Sequence, residues 1–363
     1  MKEEPLTGEL TIKGTKDFFM PSHLVIELTD NCNLNCIHCY RIRDGKEGTF
    51  IDAEKLQILL ENLANETVCG VELTGGEPTI HPDFELIVKT AVQHFSIVGV
   101  LTNGIYLPDE LLEKICNYNN QIFWSISLDS HQPEYHDKFR GKRNAWLTTV
   151  ENIEKLVKYN FLVRVAMSIT PENIKHIEKV AELCVNIGVK VFSYSPVLPF
   201  GKARNFSWSA EDLWELANEE EKIREKYKNI IPIVQFEGFA KNSVCKNCGA
   251  GWKSMVIDPN FNVRPCVMAD LSSDVIGKID PYNPKTLFEN YKDVVFFYAN
   301  ADVPEREICG DCKFLNFCTP CILRVRKVIE ERLIEIERCK WVNKIKPEFF
   351  RFFLKNTRGD LNA

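Results

Sequence analysis

Cys32, Cys36 and Cys39, in the string CNLNCIHCY, are the residues whose types and spacing most directly imply chemistry. Three thiolates can hold a cubane of four irons while leaving one iron without a protein ligand, and that iron is then free to bind and reduce a small molecule. Such a site is reactive rather than purely electron-storing. His38 lies between two of the cysteines. An added imidazole ligand could fill the open iron, so its ring is expected to pack beside the site. A zinc site, or scattered structural cysteines, is the competing reading of the same spacing.

A second concentration of thiols follows late in the chain. Eight of the fourteen cysteines run as Cys245-x2-Cys248-x17-Cys266 and Cys309-x2-Cys312-x5-Cys318-x2-Cys321-x17-Cys339. The start, MKEEPLTGEL, lacks the basic and apolar regions of a signal peptide, and no segment approaches the ~20 apolar residues of a membrane span. The chain is therefore expected to be cytoplasmic. In a reducing compartment so many cysteines read as metal ligands rather than disulfides. The three left over, Cys69, Cys116 and Cys184, are read as buried small hydrophobes.

The elements that must position these thiols alternate. Apolar runs at Leu24–Leu28, Val68–Leu73, Ile97–Leu101, Ile122–Leu128, Leu162–Ile169 and Val191–Val197 read as six strands. Amphipathic helices are expected between them: Asp52–Asn65 places Leu56, Leu59, Leu60 and Leu63 on one face, and Pro171–Ile187 is closed by Gly188. Repeated strand-helix units build a parallel sheet with chemistry at the carboxyl ends of its strands. The fold class is accordingly α/β, a partial (β/α)6 barrel. Its core is expected over 23–205 after an N-terminal segment 1–22, with a charged connecting segment 206–243 and a cysteine-rich domain 244–340. A helix and tail, 341–363, complete the chain, and the alternation is expected to stop by Pro232.

With 363 residues, 45% hydrophobic and 26% charged, the composition is that of an ordinary globular protein. A formal charge of -6 with both signs interspersed excludes a nucleic-acid binder built on a concentrated basic surface. Arg41/Arg43 and Arg324/Arg326/Lys327 are read as local anion contacts or solvated faces.

The cysteine loop resembles the signature of the radical S-adenosylmethionine (SAM) superfamily. The resemblance implies that the open iron chelates SAM and that cluster reduction cleaves it to a 5'-deoxyadenosyl radical, which takes a hydrogen atom from substrate. LTGGEP, Leu73–Pro78, resembles the element that holds the SAM amino group, assigning Gly75, Gly76 and Glu77 to it, and His38 then packs near the adenine. LTNG, Leu101–Gly104, and SISLDS, Ser125–Ser130, resemble the next two elements and make Thr102, Asn103 and Ser127 SAM contacts, with turn formation the alternative for Asn103-Gly104. In HDKFRG, His136–Gly141, Arg140 is expected to pair with the SAM carboxylate, while Asp129 could equally orient a loop.

The late cysteines resemble the SPASM extension of these enzymes, which implies two auxiliary [4Fe-4S] clusters: Cys245, Cys248, Cys266 and Cys321 for one, Cys309, Cys312, Cys318 and Cys339 for the other. Two zinc-ribbon sites are the alternative. The family's usual turn glycine is replaced by Phe261, and Cys318 and Cys321 are separated by two residues where three are usual. The implied activity is modification of a peptide or small-protein substrate by crosslinking or oxidation. A flavodoxin or ferredoxin-type donor is implied, and a separate carrier protein, because only 31 residues precede Cys32. Val267 stands where sulfatase-maturating relatives place an aspartate. The alternatives are modification of a haem precursor or carbohydrate, or a non-catalytic carrier of several clusters.

Overall fold

The structure is a computed structural model that describes residues 14–15, 18–19, 21–41, 48–66, 68–199, 201–235, 246–269, 274–319, 321–330 and 333–345. A short antiparallel pair, β1 (Gly14–Thr15) and β2 (Phe18–Phe19), precedes the main sheet. Strand and helix then alternate: β3 (His23–Thr29), α1 (Ala53–Glu66), β4 (Gly70–Gly75), α2 (Phe84–His94), β5 (Ile97–Thr102), α3 (Asp109–Ile115), β6 (Ile122–Ser127), α4 (Pro133–Arg140), α5 (Ala145–Lys158), β7 (Leu162–Ile169), α6 (Ile177–Ile187), β8 (Val191–Pro196), α7 (Ala210–Tyr227) and β9 (Ile233–Gln235). Each neighbouring pair from β3 to β9 is parallel, as helical crossovers require.

The sheet is longer than the six strands read from the sequence, and the alternation does not stop by Pro232. That proline leads into β9, where a strand's first positions tolerate it, and β9 adds a seventh parallel strand beside β8. On the other side, β10 (Ser254–Ile257) pairs parallel to β3, with Met255 opposite Leu24, and continues antiparallel into β11 (Asn262–Arg264) and β12 (Gly277–Lys278). Among the described residues the order is β12-β11-β10-β3-β4-β5-β6-β7-β8-β9, an open sheet of ten strands. Met255, Val256 and Ile257 are buried, so the cysteine-rich region joins the barrel sheet through an apolar strand. The helix read at Pro171–Ile187 starts as a 3-10 turn, Pro171–His176, before α6.

Helices cover the outer face. Leu56, Leu59, Leu60 and Leu63 of α1 are fully buried, as are Leu24, Ile26 and Leu28 on β3. Trp124 on β6 lies with its ring between Phe84 and Phe161, at 6.5 and 6.0 Å. Beyond the sheet, α8 (Lys285–Asn290), α9 (Lys292–Asn300), α10 (Arg306–Cys309), α11 (Leu315–Cys318), α12 (Ile322–Glu330) and α13 (Lys340–Ile345) carry or flank the later cysteines.

Phe261, between β10 and β11, has φ 64°, a left-handed backbone that favours glycine. Its ring is buried in the main core. Losing a buried Phe ring costs about 3–5 kcal/mol, and relief of the left-handed backbone returns about 1–2 kcal/mol. Packing therefore decides, and Phe261→Gly is expected to be about 2 kcal/mol less stable by urea denaturation. A more stable variant would show that backbone strain dominates this turn.

Candidate functional site

The functional residues meet because every loop that carries them leaves the carboxyl end of a strand in one parallel sheet. The cysteine loop follows β3 and is clamped along its length. At its start, Gly76 N–H donates to Thr29 O at 2.6 Å and Glu77 N–H to Asn31 O at 2.8 Å. A Cβ on Gly76 would stand 2.0 Å from Asn31 O, so the glycine serves the close approach of two loops. In the middle, Asn35 and Ile37 N–H donate to the carbonyls of Arg140 and Phe139 at the end of α4, at 3.3 and 3.0 Å. At its end, Lys202 N–H donates to Cys39 O at 2.9 Å.

Cys32, Cys36 and Cys39 open on a cavity of about 390 Å³, within the usual ~300–1,000 Å³ of small-molecule sites. His38, Gly75, Gly76, Glu77, Thr102, Asn103, Ser127 and Arg140 all line it. The ring of His38 stacks on Phe139 at 4.2 Å, and burial, with Arg140 adding, lowers its pKa to about 3. It is a neutral packing ring.

Glu77 is buried and already heavily engaged. Its Oε1 accepts from Thr79 N–H at 3.2 Å, from Thr79 Oγ1 at 2.7 Å and from Thr102 Oγ1, while Oε2 accepts from Asn103 N–H at 2.7 Å. Burial raises its pKa against the opposing pull of those hydrogen bonds. The carboxylate thus ties the LTGGEP turn to the LTNG turn. Thr102 spends its hydroxyl proton on Glu77, and Asn103 turns its amide toward Asn33 Oδ1 at 2.8 Å and Cys32 Sγ at 3.7 Å.

Arg140 Nε donates to Asp129 Oδ2 at 2.5 Å and Nη1 to Cys36 Sγ at 3.8 Å. Asp129 also accepts from Ser168 N–H at 2.9 Å, and despite complete burial its pKa is lowered, with Arg140 the leading opposing charge. Asp129 therefore orients Arg140 and the β7 end together.

Three features escaped the sequence reading. Glu27, in the middle of β3 and fully buried, is paired with Arg41 and with Arg264 Nη2, the latter at 2.6 Å. Arg41 is thus a buried anion contact, not a solvated face; Arg326, paired with Asp274, is another. Ser125, Arg164 and Lys202 also line the cavity. An acid inside the apolar run LVIEL was the available signal for Glu27. Cys69 is exposed at the amino-terminal rim of β4 and Cys116 half-buried, so of the three cysteines read as buried only Cys184 is.

In the cysteine-rich region, all the described cysteines are free, and Cys245 lies outside the described residues. Burial, with the Cys321 and Cys248 thiols adding, pushes Cys266 up to about 12. Burial, with Cys339, Cys312 and Cys309 adding, does the same for Cys318. Cys309, Cys312, Cys318 and Cys339 line a cavity of about 590 Å³. Buried thiols grouped so closely are a donor set that a cationic centre would relieve. Among the described residues no three His, Cys, Asp or Glu side chains close around a single ion. Ligands of a cubane bind separate irons at its corners.

Residues 26–184 match the model of the Radical SAM superfamily. The antilisterial bacteriocin subtilosin biosynthesis protein AlbA of Bacillus subtilis is 33% identical over 87% of this chain and 70% of its own length. The chain belongs to the radical SAM superfamily. The AdoMet-dependent heme synthase of Methanosarcina barkeri is 30% identical over 88% of this chain and 96% of its own length. Streptococcus suis SuiB bound to its precursor peptide SuiA shares the fold with a TM-score of 0.68 at 16% identity, covering 86% of this chain and 73% of that one. As a radical SAM enzyme the chain takes SAM and a [4Fe-4S] cluster. No helix among the described residues is long and apolar enough to cross a membrane.

Glu77→Gln places an amide hydrogen against one of the donors that the carboxylate now satisfies. A buried mismatch of this kind costs about 1–3 kcal/mol. Denaturant unfolding is expected to show that loss, and unchanged stability would leave Glu77 without its bracing role.

Proposed function

We propose that this radical SAM enzyme modifies a peptide or small protein after its synthesis, by crosslinking or oxidation. In this reading Cys32, Cys36 and Cys39 hold the SAM-binding cluster and the later cysteines hold two auxiliary clusters. The carrying observation is that Val267, directly after Cys266, lines the same cavity as the three cysteines of the first loop. The cysteine-rich region therefore forms part of the wall against which a substrate would sit, close enough to take part in turnover. The role of the AlbA relative in biosynthesis of the bacteriocin subtilosin and the precursor peptide bound to SuiB both favour a peptide.

Bound together, the cluster and SAM supply a one-electron cleavage whose adenosyl fragment removes a hydrogen atom from substrate. The chain's own residues prepare the cavity for this. Glu77 presents a negative carboxylate to the SAM ammonium with its remaining acceptor capacity on Oε2, His38 and Phe139 give an apolar stack beside the cluster loop, and Ser127 offers a hydroxyl at the end of β6. The domain boundaries proposed are 23–205 for the core and 244–340 for the auxiliary region, although β10 belongs to the core sheet. A flavodoxin or ferredoxin-type donor would supply the electron, and a carrier protein would present the peptide.

The likeness to the heme synthase keeps a porphyrin substrate as the rival, and one experiment separates them. Protein reconstituted without oxygen is expected to hold about twelve irons, from three four-iron sites. Cys312→Ala is expected to keep forming 5'-deoxyadenosine with dithionite but to lose the modified peptide, read by mass spectrometry. Full product from that variant, stoichiometric zinc in its place, or turnover of a porphyrin with no peptide present would overturn this reading.

A further inference from the structure

Two side chains around the first cysteine loop aim donors at its sulfurs. Asn103 comes from the end of β5 and Arg140 from the last turn of α4, and each is 7% exposed. Asn103 Oδ1 accepts from Ile105 N–H at 3.0 Å, and one Nδ2 hydrogen goes to Asn33 Oδ1 at 2.8 Å. The other points at Cys32 Sγ, 3.7 Å away. The reversed amide would set oxygen against oxygen at Asn33 and N–H against N–H at Ile105, so the network fixes which end faces the sulfur.

Arg140 is fixed as firmly. Asp129 takes its Nε, and Ser168 N–H holds the other oxygen of Asp129 at 2.9 Å. The guanidinium cannot turn away without stranding a fully buried carboxylate. Its Nη1 then reaches Cys36 Sγ at 3.8 Å. Two of the three sulfurs thus each receive one N–H from a side chain that is itself locked.

We propose that Asn103 and Arg140 are positioning residues that set the reduction potential of the cluster held by Cys32, Cys36 and Cys39. This rests on the reading of those cysteines as cluster ligands. Reduction adds negative charge to a cluster, and part of it resides on the sulfurs. A donor aimed at a ligating sulfur stabilises the reduced form more than the oxidised form, and hydrogen bonds to the sulfurs are among the features that set such potentials. Burial strengthens the effect because little water competes or screens. Asn103 and Arg140 would raise the potential into a donor's reach, a role separate from touching SAM.

The test is an EPR-monitored redox titration of the reconstituted full chain without SAM. The signal of the first cluster is the difference from the Cys32→Ala, Cys36→Ala, Cys39→Ala triple variant. Asn103→Ser removes the amide donor without adding charge, and Arg140→Lys keeps a cation beside Asp129 but loses the fork. Each is expected to lower the reduced-to-oxidised ratio at fixed applied potential, by about tenfold for Asn103→Ser, or ~59 mV for one electron. A variant that merely loosens the loop would lose iron without moving the midpoint of what remains. A wild-type midpoint in both variants at wild-type iron content would overturn the proposal while leaving the cluster assignment intact. A triple variant with the same signals as wild type would overturn that assignment, and the proposal with it.

Discussion

Glu27 is a carboxylate with no exposure, placed inside a strand of otherwise apolar residues and facing two arginines that are nearly as buried. Burying one charge without a partner is prohibitive, and even a paired charge loses much of its hydration. The arrangement is therefore stable only when both cationic partners arrive together. Arg41 comes from the end of the first cysteine loop, and Arg264 from β11, 237 residues away from Glu27 in sequence. Arg264 also donates through Nη1 to Ala269 O at 2.8 Å and to Cys266 O at 3.5 Å. One carboxylate consequently fixes the end of one cysteine loop and the carbonyls around the other.

The rest of the site inherits that constraint. With β10 laid parallel to β3, the chain that follows β11 returns to the rim where the first loop emerges. Val267 then reaches the cavity wall. The loop is also gripped by the LTGGEP turn, the end of α4 and Lys202, each through backbone carbonyls. Backbone clamps leave the side chains of Cys32, Cys36 and Cys39 turned toward the cavity, while Asn103 reaches the Cys32 sulfur from the end of β5 and Arg140 the Cys36 sulfur from the last turn of α4.

Much of this could be read from residue spacing. Strands were visible because their alternation with amphipathic helices repeats, and the cavity residues were visible because they occur at the ends of those strands. Long-range charge pairing was not: a glutamate in LVIEL has no local signal naming Arg41 and Arg264 as partners. The short β9 was missed because three residues carry too little periodicity, and the place of β10 beside β3 because its apolar run read as part of a separate cysteine domain. Arg140 shows the limit of motif reading, since its position was legible but the capture of its Nε by Asp129 depends on the last turn of α4 returning to the segment that follows β6. Cys69 failed for a simpler reason, as one step before β4 the chain is still at the solvent rim.

Glu27 couples the two cysteine loops. Hydrogen exchange read by mass spectrometry on Glu27→Gln, which keeps the shape and removes the charge, tests it most directly. Removing one member of a buried ion pair costs about 3–5 kcal/mol, so the account predicts faster exchange in both 31–41 and 262–269, with α5 and β7 unchanged. Faster exchange in only one of the two segments, or in neither, would contradict it.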